Sequence, residues 1–180
     1  SAPGGSPTGL VYQGEARHDR TMQITAEPLY APTLVVLEAS PTAVVRHQGV
    51  TMATLRPLFD AGYSAVAASG AALAGPAFAL YRGDPSAVFD LDLGFPVAQP
   101  LAAPVSGLVT VEPSTLPATS ALALSHIGAY GSLTETWNRL GEDAGRRGLE
   151  PTGSLEVYVT EPSPDLDPTT LRTDLFLLLA

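Results

Sequence analysis

The sharpest difference between two similar halves of the chain is an acid, Glu156, where the first half has Ala79. Glu156 lies two residues before Tyr158, with Tyr130 and Trp137 upstream. An acid with flat apolar neighbours suits two kinds of chemistry. It can capture a lipophilic cation, supplying the counter-charge while the rings stack. Held in apolar surroundings its pKa rises, which also suits a general acid or base. Glu156 alternates with Leu155 and Val157 on a strand-like run, so register decides whether it meets solvent or a cleft. Trp137 falls on the apolar stripe of a helix, where it can be core, cleft wall or both. Tyr81 and Tyr158 can pack with their hydroxyls partnered, or touch a ligand. Tyr130 stands just before the second helix.

Other chemistries find less support. His47 and His126 each precede a glycine turn, as His-Gln-Gly and His-Ile-Gly. Two histidines with no local Glu or His partner make a weak metal site, so both read as structural and no metal is expected. Asp165, Asp167 and Asp174 lie in or beside a long loop and read as solubilising charge, without the tight spacing of a calcium loop. Gly70–Gly75 lacks the lysine and hydroxyl of a phosphate loop, no Gly-x-Ser-x-Gly occurs, and no cofactor is expected. With a net charge of −9 the chain would be repelled by phosphate backbones, so direct nucleic-acid binding is not expected. There is no cysteine, hence no disulfide or thiolate site. No apolar run approaches the length of a membrane span, and Ser1–Gly9 lacks the features of a signal peptide, which points to the cytoplasm.

The elements that must position these residues come as two copies. Thr42–His47 and Ala121–His126 are strand-like and end in His-x-Gly. Each is followed by a helix, a small-residue turn, a tyrosine-bearing strand (Phe78–Tyr81; Glu156–Tyr158), an acid-Pro turn and a last strand. The first helix should run near Thr54–Ser69 with Thr54 as N-cap, which leaves Pro57 in the first turn, where it is tolerated. The second opens on Ser132-Leu-Thr-Glu135, a capping-box pattern; Leu133, Trp137, Leu140 and Ala144 share one face and Gly148 supplies the stop. Val88–Phe95 alternates Phe89, Leu91, Leu93 and Phe95 against Asp90 and Asp92, the pattern of a half-exposed strand. Met22–Leu37 reads as strand, Leu108–Val111 as a strand inside the Pro96–Ala118 connection, and residues 1–20, polar and Gly/Pro-rich, as a mobile tail. The expected fold is α+β, two pseudo-twofold strand–helix–strand–strand repeats (about 42–97 and 119–179) in one domain over 21–180. Its antiparallel sheet carries the helices on one side. Differences between copies then mark function, the sharpest being Ala79 against Glu156; Tyr130 stands where the first copy has Thr51.

The order of His-x-Gly, amphipathic helix, Gly-rich turn, Glu-Val-Tyr strand, Pro/Asp loop and Leu171-Arg-Thr-Asp174 strand resembles the gyrase-inhibitor-like (GyrI-like) domain. That domain also serves as the effector-binding half of bacterial multidrug-responsive transcription regulators. The resemblance covers about Met22–Leu179. It implies a ligand cleft between two half-domains, with Glu156 projecting into it and Trp137, Tyr130, Tyr158 and Tyr81 as candidate ligand-binding residues. The implied function is binding of lipophilic, often cationic, aromatic small molecules for sequestration or sensing. The alternative is hydrolysis of cyclopropane-bearing alkylating natural products, with Glu156 as the catalytic residue. A third reading is inhibition of a protein partner such as a topoisomerase. The residues ahead of the domain are too few and too Pro/Gly-rich for a helix-turn-helix, so a complete transcription factor is not expected.

Overall fold

Consecutive strands of this chain do not simply lie side by side. In the computed structural model, which describes residues 27–180, β1 (Thr33–Leu37) and β2 (Ser40–Val50) are joined by Glu38 and Ala39 alone. Yet they sit near opposite edges of one eight-stranded antiparallel sheet. The helix α1 (Arg56–Ala68) follows β2, then β3 (Phe78–Gly83) and β4 (Phe89–Pro96). The second copy repeats this with β5 (Glu112–Leu116), β6 (Thr119–Ile127), α2 (Leu133–Arg146), β7 (Pro151–Tyr158) and β8 (Arg172–Leu179). The strand order is β1-β6-β8-β7-β3-β4-β2-β5. Six strand spacings of a flat sheet would put β1 about 29 Å from β2. A two-residue link reaches only about 11 Å. The sheet must therefore curl until its edges meet. Leu37 of β1 and Leu116 of β5, from opposite edges, accordingly fall in one apolar cluster with Phe78, Leu155 and Phe176.

The same order reveals the internal twofold. β1 pairs with β6 of the other copy and β5 with β2, so each copy lends its leading strand to its sibling. At the centre β3 pairs with β7, and Ala79 lies directly opposite Glu156. Tyr81 opposes Ser154, and Tyr158 donates its backbone N–H to Ala77. The twofold thus passes between Ala79 and Glu156, the pair in which the copies differ most. Both helices cover one face, α1 on β2 and β4 and α2 on β6 and β8.

Several expectations need correction. Residues 27–32 ahead of β1 are not strand, because Pro28 and Pro32 cannot donate to a ladder; residues 22–26 and the 1–20 tail lie outside the described residues. Thr54 does not cap α1. A 3₁₀ turn at Met52–Thr54 intervenes, its hydroxyl bonds back to the Thr51 carbonyl at 2.9 Å, and Leu55 takes the N-cap position, with Pro57 still in the first turn. Ser132 is the N-cap of α2, but the capping box does not form. Its hydroxyl donates to the Ala129 carbonyl and contacts His126 Nε2 instead. Gly148, at φ 67°, ends α2 as its position predicts. The strand in the connection is Glu112–Leu116 rather than Leu108–Val111, an edge position that accommodates Pro113.

β4 alternates as expected but is not half-exposed. The curl buries its second face, and Asp92 is 1% exposed, held by Arg46 at 3.0 Å and Arg82 at 2.8 Å. Its twofold mate Asp174 is not solubilising charge either. It is buried, accepting from Ser125 at 2.7 Å and from Arg172 at 2.9 Å. Asp165 is exposed in the loop, and Asp167 accepts from the Thr169 N–H at 3.0 Å.

Candidate functional site

Strand alternation sends Ala79 and Tyr81 of β3, and Glu156 and Tyr158 of β7, to the helix-bearing face. Glu156 is 8% exposed. Trp137 of α2 donates its indole N–H to Oε1 at 3.0 Å, and the Tyr158 hydroxyl donates to Oε2 at 2.6 Å. The Tyr81 hydroxyl of the other copy lies near enough to the same carboxylate to favour its ionised form. No cation among the described residues forms a salt bridge to it. Two neutral donors therefore hold a carboxylate whose charge no described residue balances. Burial raises its pKa above the usual carboxylate value, and the bonds from Tyr158 and Trp137, with the nearby Tyr81 hydroxyl, pull part of the way back.

The rings form a chain across the twofold. Tyr130, in the 3₁₀ turn before α2, meets Tyr158 edge to face at 5.8 Å. Tyr158 meets Tyr63 of α1 at 6.3 Å, and Tyr63 meets Phe95 of β4 at 5.7 Å. Phe59 touches both Tyr63 and Tyr158, while Tyr81 packs on Phe89 at 5.5 Å. Three of these contacts are T-shaped and three tilted, and together they link α1 to the strands that carry Glu156 and Tyr81. The phenols of Tyr63, Tyr81 and Tyr158 are pushed well above their ordinary pKa, first by burial and then by the nearby Glu156 charge. Tyr130 is 39% exposed and forms the outer end of the chain.

The structure brings Glu156, Trp137, Tyr158, Tyr130 and Tyr81 together. Phe59, Tyr63 and Phe95 join them without having been singled out. The i,i+4 spacing of Phe59 and Tyr63 on α1 was the available signal. The two histidines are handled differently by the fold. His126 is buried, with Nδ1 against Thr136 Oγ1 at 2.7 Å and Nε2 against the Ala129 carbonyl at 3.0 Å, tying β6 to the start of α2. His47, its twofold mate, is only half-buried. No group of three His, Asp or Glu among the described residues is arranged to hold a metal, and no described helix is long and apolar enough to cross a membrane.

No protein-family model and no curated protein sequence matches the chain. Solved structures do. The EcmrR C-terminal domain superposes with a TM-score of 0.66 at 18% identity, over 84% of this chain and 98% of that one. In a complex of EcmrR with DNA, this chain spans 58% of the longer EcmrR chain. SAV2435, solved bound to tetraphenylphosphonium, superposes with a TM-score of 0.59 at 7% identity, over 83% and 93%. A hydrolase encoded by lin2189 from Listeria innocua gives 0.53 at 12% identity, over 86% and 94%. With its crossed leading strands, its central twofold and both helices on one face of the sheet, the chain has the fold of a GyrI-like domain.

Proposed function

We propose that this protein binds lipophilic aromatic cations in the cleft between its two copies, with Glu156 as the counter-charge and Trp137, Tyr130, Tyr158 and Tyr81 as the binding walls. The observation that carries this reading is the uncompensated carboxylate. A buried charge without a counter-ion is costly, and neutral donors relieve that cost only in part. A cation stacked between the rings supplies the missing charge and gains cation–π contact besides. The net charge of −9 draws cations toward the molecule. The likeness to SAV2435, itself solved with a lipophilic cation, is in keeping with this reading. Sequestration of a toxic compound and reporting it to a protein partner both follow from such capture.

Calorimetric titration with 10-methylacridinium and with its neutral isostere acridine tests the charge. Glu156→Gln keeps the side chain's shape and removes the charge. The cation should lose about 1–3 kcal/mol of binding, as for hydrogen bonds to charged groups, and the neutral compound little. Equal loss for both, or none for either, would show that Glu156 is not the counter-charge.

Hydrolysis is the second reading, favoured by the short Tyr158–Glu156 contact, in which a carboxylate of raised pKa sits beside a phenol. Glu156 would activate a water against a ligand held by the rings. Incubation with a cyclopropane-bearing alkylator, followed by mass spectrometry, separates the two. Ring opening that collapses in Glu156→Gln is catalysis; intact compound with binding demonstrated leaves a binder.

A further inference from the structure

Among the described residues one buried side-chain polar atom has no hydrogen-bond partner, the hydroxyl of Thr173 on β8. Thr173 is 0% exposed and lies on the helix-bearing face, two residues before Leu175 of the core beneath α2. It pairs across the ladder with Tyr158 on one side and His126 on the other. Neither neighbour is free to serve it. The Tyr158 hydroxyl is spent on Glu156, and both His126 nitrogens are engaged by Thr136, Ala129 and Ser132.

The first copy shows what a merely structural solution looks like. There Leu91 pairs with Tyr81 and His47, the twofold mates of Tyr158 and His126, and it too is 0% exposed. A buried hydroxyl left unpaired destabilises the fold, whereas the leucine at the matching position does not. The substitution also falls on the same copy and the same face as the Ala79-to-Glu156 difference. Tyr158 connects the two. It is hydrogen-bonded to Glu156 and paired across the ladder with Thr173, so a ligand that takes the place of its ring would lie against both groups.

We propose that Thr173 is a specificity-determining residue of the cleft, its hydroxyl binding an amino or hydroxyl substituent on the ring system of the ligand. This rests on the reading of the cleft as a cation site and narrows it. The favoured ligand class is a planar aromatic cation bearing a hydrogen-bonding ring substituent, and a cation of hydrocarbon rings alone leaves Thr173 unpaired. The ligand satisfies two groups that the free protein leaves uncompensated, one by charge and one by a hydrogen bond.

A matched pair of probes isolates the hydroxyl: 10-methylacridinium and its 3,6-diamino derivative, the same planar cation without and with amino groups. Binding is measured by fluorescence titration for the wild type, Thr173→Val and Thr173→Ser, with thermal melts of the free proteins. Thr173→Val should weaken the diamino compound about tenfold, the loss of one net hydrogen bond, and leave 10-methylacridinium within about twofold. The same variant should melt higher, because the unpaired hydroxyl is gone. Thr173→Ser should keep the preference for the diamino compound. An unchanged ratio of the two affinities in Thr173→Val, or an equal loss of both, would overturn the role of Thr173 while leaving the cation site standing. A wild type that binds neither probe would sink the cation site and this inference with it.

Discussion

Under the proposed function, the charge state of Glu156 links binding to pH. Its pKa is raised in the folded protein, chiefly by burial. A raised acid pKa means that its contribution to stability is fully present below the unfolded carboxyl value and is lost as pH rises through the folded one. The free wild type should therefore lose stability relative to Glu156→Gln as pH climbs from the acid range to neutrality. Denaturant melts of both proteins across that range check the sign, and a constant difference would contradict it. A bound cation favours the ionised form, so affinity should rise with pH and binding should release a proton, seen as a buffer-dependent calorimetric heat. At this scale much was legible. The Ala79-to-Glu156 contrast was visible as soon as the two copies were aligned, although its face was not, since alternation alone permits either side of a strand. Thr173 was not legible. It sits in a run that reads as core strand, and the lack of a partner for its hydroxyl is a fact of three strands.

The elements were largely readable and their ends were not. Helical periodicity placed α1 and α2, because apolar stripes report burial directly. Capping failed because it depends on what competes for a hydroxyl. Ser132 is diverted to Ala129 and His126, and Thr54 to Thr51. The exposure of β4 was misread because alternation of Leu with Asp implies water on one side. Here the Asp face is closed by the curl and neutralised by Arg46 and Arg82. Gly94 on that strand reports how tightly the curl is drawn. A Cβ there would overlap the Ala43 carbonyl oxygen and lie 2.8 Å from Val44 Cγ1. Gly94→Ala must therefore force β2 and β4 apart. We expect destabilisation of about 1–3 kcal/mol or more, typical of overpacking, read as a lower midpoint in urea. An unchanged midpoint would mean that the β2–β4 contact is loose.

For the whole molecule, the crossed leading strands and the central twofold place two copies of one unit around the Ala79–Glu156 pair. Repetition was legible in the sequence; the exchange of β1 and β5 was not, because nothing local tells a strand which sibling it will join. The exchange adds two ladders to the central β3–β7 one, so the copies cannot separate without breaking three. Under the proposed function, access to Glu156 is then left to side chains, above all the ring chain from Tyr130 to Phe95. On that reading the second copy supplies the charge, through Glu156, and the first supplies facing aromatic rings, Tyr63 and Tyr81. Trp137 offers a direct view of this centre, since it is the one tryptophan in the chain and its indole N–H is bonded to Glu156. The decisive measurement is Trp137 emission during titration with tetraphenylphosphonium, in the wild type and in Glu156→Gln. The account predicts a saturable change of emission with one cation per chain, moved to far higher concentration in the variant. A wild-type emission that ignores the cation, or a variant that titrates identically, would contradict it.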